Sequence, residues 1–449
     1  MNPMDLSAAE LAARVRSGKM TPAQVAGAAR ARVAERNPAL NAMTALNPAL
    51  EDEAADVAAR LAAGEDLPLA GVPVVIKDNI WVRGLPVTQG SRLFADFVAP
   101  EDAQAVLRLR AAGAMILGIA TCSEFACKGV TNTPLHGKTR NPVDPDLTTG
   151  GSSGGPVAAV AAGMAPLALG TDAGGSSRRP PAHTGLYGFK PTQDLVPYGP
   201  GFEEPVDGIS VICPIARTLE DIALAMSVLA DLPPGTPIPG PYAWSADFGL
   251  GQRLDTDVAA AFNTFVRCLE THGFGMTEAA PEWQGLNGGS VMALQHAGLA
   301  RLSGAAWQED PSVFDPDLVV QIETGLGLED ETVAQAKSAS ARMGAILNGF
   351  LGRFRVVVVP TTPCPAWPVD QLAPQEIGGQ PCAPRDHAAF TPQANHAGCP
   401  ALTIPFARTH AGLPIGLQII AARGRDADLL ATARTITAAL APKEHERAT

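Results

Sequence analysis

The segment from Thr148 to Thr192 constrains the fold more than any other part of the chain. It holds two glycine–serine clusters, GGSSGG at 150–155 and GGSS at 174–177, separated by an alanine-rich segment and a short apolar run. Glycine lets a backbone adopt positive φ or approach another group closely. Serine beside glycine adds a hydroxyl at points where backbone N–H groups can converge. Two such clusters in one compact unit predict a site built from main-chain amides and hydroxyl groups.

A serine hydroxyl in such a site is a poor nucleophile unless a base lies beside it. The chain has eight histidines, and of these only His183 lies near either cluster. Lys77 ends the apolar run that begins at Val72, a pattern typical of a buried strand. Burial disfavours an ammonium group, so it lowers a lysine pKa toward the range of a useful base. The same pattern also fits an ordinary lysine that pairs with Asp78.

Several further motifs occur at restrictive spacings outside the two clusters: GVPVVIKDNI (71–80), SEF (123–125), RNPVD (140–144), VVVVPTTPCPA (356–366), AGCPALTIP (397–405) and GLPIGLQII (412–420). With these motifs the chain resembles the amidase signature family of serine amidohydrolases, over most of its length apart from roughly 235–350. The resemblance implies a Ser–cis-Ser–Lys triad with Ser176 as nucleophile, Ser152 as the bridging serine and Lys77 as base. It also implies an oxyanion hole on the backbone amides of four consecutive residues, Ala173, Gly174, Gly175 and Ser176.

The function implied by the resemblance is hydrolysis of a carbon–nitrogen acyl bond of a small molecule, of the amide, anilide or carbamate type, through an acyl-enzyme on Ser176. Two alternatives remain open. The run Gly151–Gly155 also fits G-x-S-x-G, so a serine esterase or α/β-hydrolase could use Ser153 with a distant histidine, although a turn-rich loop replaces the expected strand before it. The family also contains glutaminase subunits of tRNA amidotransferases, which work only within a complex.

The resemblance places a pocket-lining loop near Ala126 to Lys128. Just before it the chain departs from the family, because Ala120 and Thr121 stand where Thr-Asn is frequent. We expect substrate contacts from Ala126, Lys128, Ser153 and Arg179. His183 is expected to have a structural or pocket-lining role and no catalytic one.

Two arginines follow the nucleophile cluster, where the family commonly has only the first. Adjacent residues of an extended or turning segment point to different sides. We expect one of the two arginines to brace the loop, with Asp172 as the candidate partner, and the other to face the cleft, where a guanidinium favours a carboxylate or carbamate. The alternative is that Arg179 pairs only with an acid at the surface.

The alternation of helices and strands between 102 and 190 favours an α/β fold with a largely buried sheet. The resemblance implies a central mixed, twisted β-sheet covered by helices on both faces. We expect one domain over 1–449, with a helical arm at 1–65, a signature core at 66–232, a mainly helical, substrate-selecting region at 235–350 and the rest of the core at 351–449. Strands are predicted at 72–77, 114–118, 167–170, 356–359, 402–405 and 415–420, and helices at 48–63, 102–112, 218–230 and 426–440.

Composition narrows the function classes. The net charge of −12 argues against nucleic-acid binding as the main role. The seven cysteines form no C-x-x-C pair or Cys/His cluster, which indicates free thiols in a reducing compartment and no zinc site. The amino-terminal segment lacks a signal peptide's apolar core, and no run reaches the ~18 apolar residues of a spanning helix. We therefore expect a cytoplasmic monomer or homodimer that acts on a small molecule without cofactor, metal, membrane or nucleic acid.

Overall fold

A computed structural model describes residues 2–440 of the chain. Its fifteen strands are β1 Met43–Leu46, β2 Pro73–Lys77, β3 Met115–Ala120, β4 Asn132–Thr133, β5 Gly137–Lys138, β6 Leu167–Asp172, β7 Tyr187–Lys190, β8 Val211–Ala216, β9 Tyr242–Trp244, β10 Met276–Glu278, β11 Val356–Pro360, β12 Glu376–Ile377, β13 Gln380–Pro381, β14 Ala401–Arg408 and β15 Pro414–Ala421. Eleven of them form one sheet in the order β1-β3-β2-β6-β8-β7-β14-β15-β11-β9-β10.

The sheet is mixed, as expected. β2 lies between β3 and β6 and runs parallel to both, whereas the central strands from β6 to β11 pair antiparallel. At the far edge β9 runs parallel to both β11 and β10. The parallel pairing of β2 with β6 matters most for function, because the carboxyl ends of parallel neighbours meet at the same edge of a sheet.

The thirteen α-helices of the described chain are α1 Ala8–Arg16, α2 Pro22–Leu40, α3 Leu50–Ala62, α4 Gln104–Ala111, α5 Gly154–Ala161, α6 Arg179–Thr184, α7 Leu219–Leu229, α8 Thr256–Thr271, α9 Met292–Glu309, α10 Pro316–Leu326, α11 Asp330–Phe354, α12 Pro392–His396 and α13 Asp426–Leu440. Thr21 caps α2 as its sequence predicts: its hydroxyl accepts from the Gln24 amide, and Pro22 takes the first helical position. No helix of the described residues is both long and apolar enough to cross a membrane.

Helices cover both faces of the sheet. Along β11, Val356 and Val358 belong to one apolar cluster, and Val357 and Val359 belong to another. Since successive residues of a strand point to opposite faces, the two clusters lie on opposite sides of the sheet. The first cluster takes apolar side chains from α8 and α13 and the second takes them from α11. The predicted fold class is confirmed.

The predicted strands and helices lie where the sequence indicates them, within a few residues at their ends, but further strands were not foreseen, three of them in segments expected to be helical. The amino-terminal arm is not wholly helical, because β1 pairs antiparallel with β3. Gly118 permits this pairing: a Cβ there would lie 2.1 Å from the Ala45 carbonyl oxygen. In the same way β9 and β10 join the sheet from within the region 235–350. Four- and three-residue strands carry too little alternation to be seen in a sequence.

Candidate functional site

The site lies at the sheet edge where β2 and β6 end. β2 ends at Lys77 and β6 ends at Asp172, and every residue of both strands is buried. The second glycine–serine cluster begins two residues after the end of β6, and the first runs into the start of α5. The two parallel strands therefore bring a buried lysine and both clusters to one place, although 75 residues separate Lys77 from Ser152.

Lys77 contacts both a serine and a threonine. Its Nζ donates to Ser152 Oγ at 2.8 Å and to Thr171 Oγ1 at 2.8 Å. Asn79 Nδ2 also donates to Thr171 Oγ1, at 3.0 Å, so both lone pairs of that hydroxyl are used. The alternative pairing with Asp78 is absent, because the Asp78 carboxylate accepts from the Thr88 and Gly90 amides and from the Thr88 hydroxyl.

The electrostatics of Lys77 suit a base. Burial lowers the pKa of Lys77 to about 8, although the nearby groups, including the Asp172 carboxylate, act to raise it. At neutral pH a minor but substantial fraction of this lysine is therefore the free amine. Its lone pair is then available to accept a proton from the Ser152 hydroxyl.

Ser152 is held in a tight corner. The peptide bond between Gly151 and Ser152 is cis, as the family resemblance implies. A Cβ at Gly151 would lie 2.6 Å from the Val130 carbonyl oxygen, so only glycine fits between Ser152 and that backbone. Ser152 is fully buried in the protein but borders the cavity described below.

The turn around Ser176 is organised by Asp172. The Asp172 carboxylate accepts from the backbone amides of Gly175 at 2.7 Å and Ser177 at 3.1 Å. Gly175 has φ +112°, a conformation that side chains rarely adopt, and a Cβ there would lie 2.1 Å from Thr391 Oγ1. Ser176, between these two anchored amides, is 8% exposed and borders the cavity.

The four predicted oxyanion-hole amides are not equivalent. The Gly175 N–H already donates to Asp172, which leaves three candidates for an oxyanion. The N–H groups of Ala173, Gly174 and Ser176 have no hydrogen-bond partner within residues 2–440, and all three residues border the cavity. Unpaired amides at a cavity wall are the geometry that stabilises a developing negative charge.

A cavity of about 490 Å³ lies over the two serines. Its walls combine aromatic and aliphatic side chains with a few charged groups. They are drawn from the turn at 173–176, from the pocket loop at 125–128, from the segment 198–210, from α9 and the residues before it, and from 383–396. Residues of the region 235–350 that border it are Leu250, Gln252, Asn287, Gly288, Gly289, Val291, Met292, Leu294 and Gln295.

The pocket loop lies where the sequence resemblance puts it. Phe125 and Ala126 both have positive φ, +50° and +60°, a strained backbone of the kind that concentrates at functional sites. Ala126 and Lys128 border the cavity. The Lys128 ammonium, however, pairs with the buried Asp315 and, at 3.1 Å, with Asp317. The charge of Lys128, which was expected to contact substrate, is therefore already balanced within the protein.

Ser153 and His183 lie away from the cavity. Ser153 is fully buried, and its hydroxyl donates to the Thr171 carbonyl at 3.2 Å and lies 3.3 Å from Ser177 Oγ. It is thus the one predicted substrate-contacting residue that the structure does not bring to the cavity wall, and no histidine of the described chain hydrogen-bonds to it. His183 is buried edge-on against Trp367, and burial lowers its pKa to about 3.

The two adjacent arginines diverge. Arg178 forms a fully buried ion pair with Asp172, at 2.9 Å and 3.0 Å. Arg179 is also buried but borders the cavity. Of the two arrangements that the sequence left open, the structure shows the one in which one arginine braces the loop and the other borders the cavity, and Arg179 does not pair with a surface acid.

Several residues of the site escaped the sequence analysis. Thr171 and Asn79 contact Lys77 or its partner, and the segment from Tyr198 to Ser210 forms one wall of the cavity. The available signal for Thr171 was its place directly before the motif DAGGSS, at a strand end. The wall segment contains none of the motifs that carry the family resemblance.

Comparison with known proteins agrees with this geometry. The amidase family matches residues 24–430. Over 96% of its length the chain is 36% identical to a glutamyl-tRNA(Gln) amidotransferase subunit of Deinococcus radiodurans, covering 97% of that protein. It is 33% identical to an acylamidase of Rhodococcus erythropolis, over 96% of this chain and 95% of the relative. A crystal structure of an amidase matches 97% of this chain and 100% of the amidase chain, with a TM-score of 0.90 at 29% identity. The chain therefore belongs to the amidase family, the amidohydrolase class that its sequence predicts.

Proposed function

We propose that this protein hydrolyses a carbon–nitrogen acyl bond of a small molecule through an acyl-enzyme on Ser176. The observation that carries the proposal is the 2.8 Å contact between Lys77 Nζ and Ser152 Oγ, beside a cavity that Ser152 and Ser176 share. The volume of about 490 Å³ suits a small molecule and lies in the usual range of ligand sites. No feature of this cavity requires a membrane protein or a nucleic acid as the substrate.

The contact between Lys77 and Ser152 supports the first step of the proposed proton path. The neutral Lys77 amine accepts the Ser152 proton, Ser152 accepts the Ser176 proton, and Ser176 Oγ bonds to the substrate carbonyl carbon. The carbonyl π electrons move to the oxygen, where the amides of Ala173, Gly174 and Ser176 are free to donate to the oxyanion. Collapse of the tetrahedral intermediate breaks the carbon–nitrogen bond, and the leaving amine takes the relayed proton. Water then repeats the sequence on the ester and restores Ser176.

Activity on matched substrates tests this proposal. Amides, anilides, carbamates and esters of one acyl group would be assayed with the wild-type protein and with Ser176→Ala. We expect loss of at least a thousandfold in kcat, as for other catalytic units. Ser177→Ala is the matched control, because that hydroxyl bonds to the Thr171 carbonyl at 3.0 Å and does not border the cavity. Retention of more than about a tenth of the rate in Ser176→Ala would exclude Ser176 as nucleophile.

A second candidate function is supported by sequence identity. The relative from Deinococcus radiodurans is named as part of an amidotransferase, so glutamine hydrolysis within a complex is a specific alternative. Ammonia release from glutamine by the purified chain, with its native mass measured in parallel, separates the two functions. A free-standing amidase turns over small amides as a monomer or homodimer. A chain that serves an amidotransferase is inactive alone on all of them and gains glutaminase activity only with partner chains.

A further inference from the structure

Arg178 and Arg179 differ in what surrounds them. Every nitrogen of the Arg178 guanidinium has a partner: its Nε and Nη2 donate to Asp172, and its remaining donors reach the Thr391 carbonyl, Gln418 Oε1 and Asn395 Oδ1. This arginine has no donor left for a ligand. Its role is to hold the nucleophile turn.

Arg179 has almost no partners although it is only 4% exposed. Its Nη1 lies 3.3 Å from His387 Nδ1, and its Nη2 donates to the Gly151 carbonyl at 3.4 Å. Its Nε is buried without any partner in the described chain, and no carboxylate of residues 2–440 lies within ion-pair distance. A buried cation without a counter-ion is costly, so the guanidinium is suited to receive an anion from outside the protein.

The charge of Arg179 persists at neutral pH. Burial and the neighbouring Arg385 lower the pKa of Arg179, to about 9, which still leaves the guanidinium protonated at pH 7. Arg385, an exposed residue, borders the same cavity. Lys128 is neutralised by Asp315, so Arg179 and Arg385 are the two arginines bordering the cavity that lack an ion-pair partner among the described residues, while the acidic residues Glu203, Glu204 and Asp386 border it as well.

The location of Arg179 is close to the reacting groups. Its Nη2 contacts the carbonyl of Gly151, which precedes Ser152. Its Nε would lie 2.9 Å from a Cβ on Gly175, which precedes Ser176. The guanidinium thus stands beside both glycines that precede the two active-site serines. An anion bound there lies next to the acyl group on Ser176.

His387 fixes the guanidinium. Burial and the charge of Arg179 lower the pKa of His387 well below its usual value, so its Nδ1 is free to accept from Arg179. The ring packs on Trp367 with 4.8 Å between ring centroids. The ring also lies against Gly129, because a Cβ on Gly129 would be 2.4 Å from His387 Cε1. His387 is therefore a positioning residue that holds Arg179 toward the cavity.

We propose that Arg179 binds a carboxylate on the acyl portion of the substrate, so that the preferred substrates are monoamides of dicarboxylic acids. This proposal rests on the proposed amidase function. Bidentate binding of a carboxylate by guanidinium, in a dry site, supplies both affinity and orientation. Neutral amides of the same length lack this contact and are poorer substrates.

The kinetic test compares anilides of dicarboxylic acids with the unsubstituted acyl anilides of equal chain length. Arg179→Ala is expected to lower kcat/KM roughly 10- to 150-fold for the carboxylated series, the size of a charge-assisted hydrogen bond, and to change the neutral series less than about threefold. Lys138→Ala is the control for loss of a cation, because Lys138 pairs with Asp370 at the surface and does not border the cavity, and it should affect both series little. His387→Asn should raise KM for the carboxylated series only. Equal effects of Arg179→Ala on both series, or no effect, would overturn the proposal.

A binding test does not depend on turnover. In the Ser176→Ala background, succinate is expected to raise the unfolding temperature, and acetamide at equal concentration is not. Adding Arg179→Ala should abolish that shift without lowering the ligand-free unfolding temperature, because it removes an uncompensated buried charge. A succinate shift that survives Arg179→Ala, or no shift in either protein, contradicts carboxylate binding. Because this assay needs no catalysis, it separates failure of this proposal from failure of the Ser176 mechanism.

Discussion

Asp172 and Arg178 form an ion pair in which neither side chain is exposed, and this pair anchors the turn that carries Ser176. The guanidinium contacts both carboxylate oxygens, and the same oxygens accept from two backbone amides of the turn. The Asp172 carboxylate is buried, but its contacts with Arg178, Asn395 and Gly175 together hold its pKa well below the usual value.

Arg178→Ala should destabilise the protein by about 3–5 kcal/mol, because it leaves a buried carboxylate without its cation. Arg178→Lys keeps the charge but loses the two-point contact and should cost less. Urea unfolding followed by circular dichroism measures both. Asp172 determines how the stability of the wild-type protein depends on pH. Because its pKa is lowered in the folded state, the stabilisation by this carboxylate is present above the unfolded pKa of about 3.9 and is lost as pH falls below that value. An Arg178→Ala protein as stable as wild type would refute this account of the turn.

Activity should rise with pH as Lys77 loses its proton. Burial lowers the Lys77 pKa to about 8, and only the neutral amine can accept the Ser152 proton. We expect kcat/KM to increase through about pH 8 to an alkaline plateau, and Lys77→Ala to lose nearly all activity at every pH. A profile that is flat from about pH 6 to 9 in wild type, with chemistry shown to be rate-limiting, is the result that would contradict it.

Thr171 should influence the pH at which activity rises. Its hydroxyl accepts from Lys77 Nζ at 2.8 Å and so favours the ammonium form. Thr171→Val removes this acceptor and should shift the inflection to a lower pH while lowering kcat/KM about five- to tenfold, the size of one buried hydrogen bond. Ser153→Ala is the matched control, because that hydroxyl contacts the Thr171 backbone and not Lys77. If the pH profiles of wild type, Thr171→Val and Ser153→Ala had the same inflection, Thr171 would not influence the titration of Lys77.

Lys128 should matter for stability and not for recognition of charge. Its ammonium is buried against Asp315, so Lys128→Ala is expected to destabilise by about 3–5 kcal/mol. Lys138→Ala, which breaks an exposed pair with Asp370, should cost about 0–1 kcal/mol in the same unfolding assay. Any kinetic effect of Lys128→Ala should be equal on anionic and neutral substrates. A selective loss on the anionic series would place its charge in substrate recognition.

The sequence predicted the parts of the site that depend on local patterns. The apolar run that ends at Lys77, the two glycine–serine clusters and the divergence of Arg178 from Arg179 all follow from residues close together in the chain. Side-chain alternation and glycine content are local properties, so they can be recognised without knowledge of the fold.

The remaining features depend on contacts between distant segments. Asp315 neutralises Lys128 from 187 residues away, and His387 meets Arg179 across 208 residues. Ser153 lies beside Ser152 in sequence but points to the Thr171 backbone and away from the cavity. No pattern within one segment reveals such pairings, which is why the sequence alone does not show that Ser153 lies away from the cavity or that the charge of Lys128 is balanced.

The most direct test of the central claim is to locate the acyl group. The protein would be mixed with a p-nitrophenyl ester, quenched within the first turnover and analysed by intact mass and peptide mapping. The account predicts a burst of p-nitrophenol, one added acyl group per chain on the peptide containing Ser176, and no added mass in Ser176→Ala. An acyl group mapped to Ser153 or to any other residue, with Ser176→Ala still acylated, would contradict it.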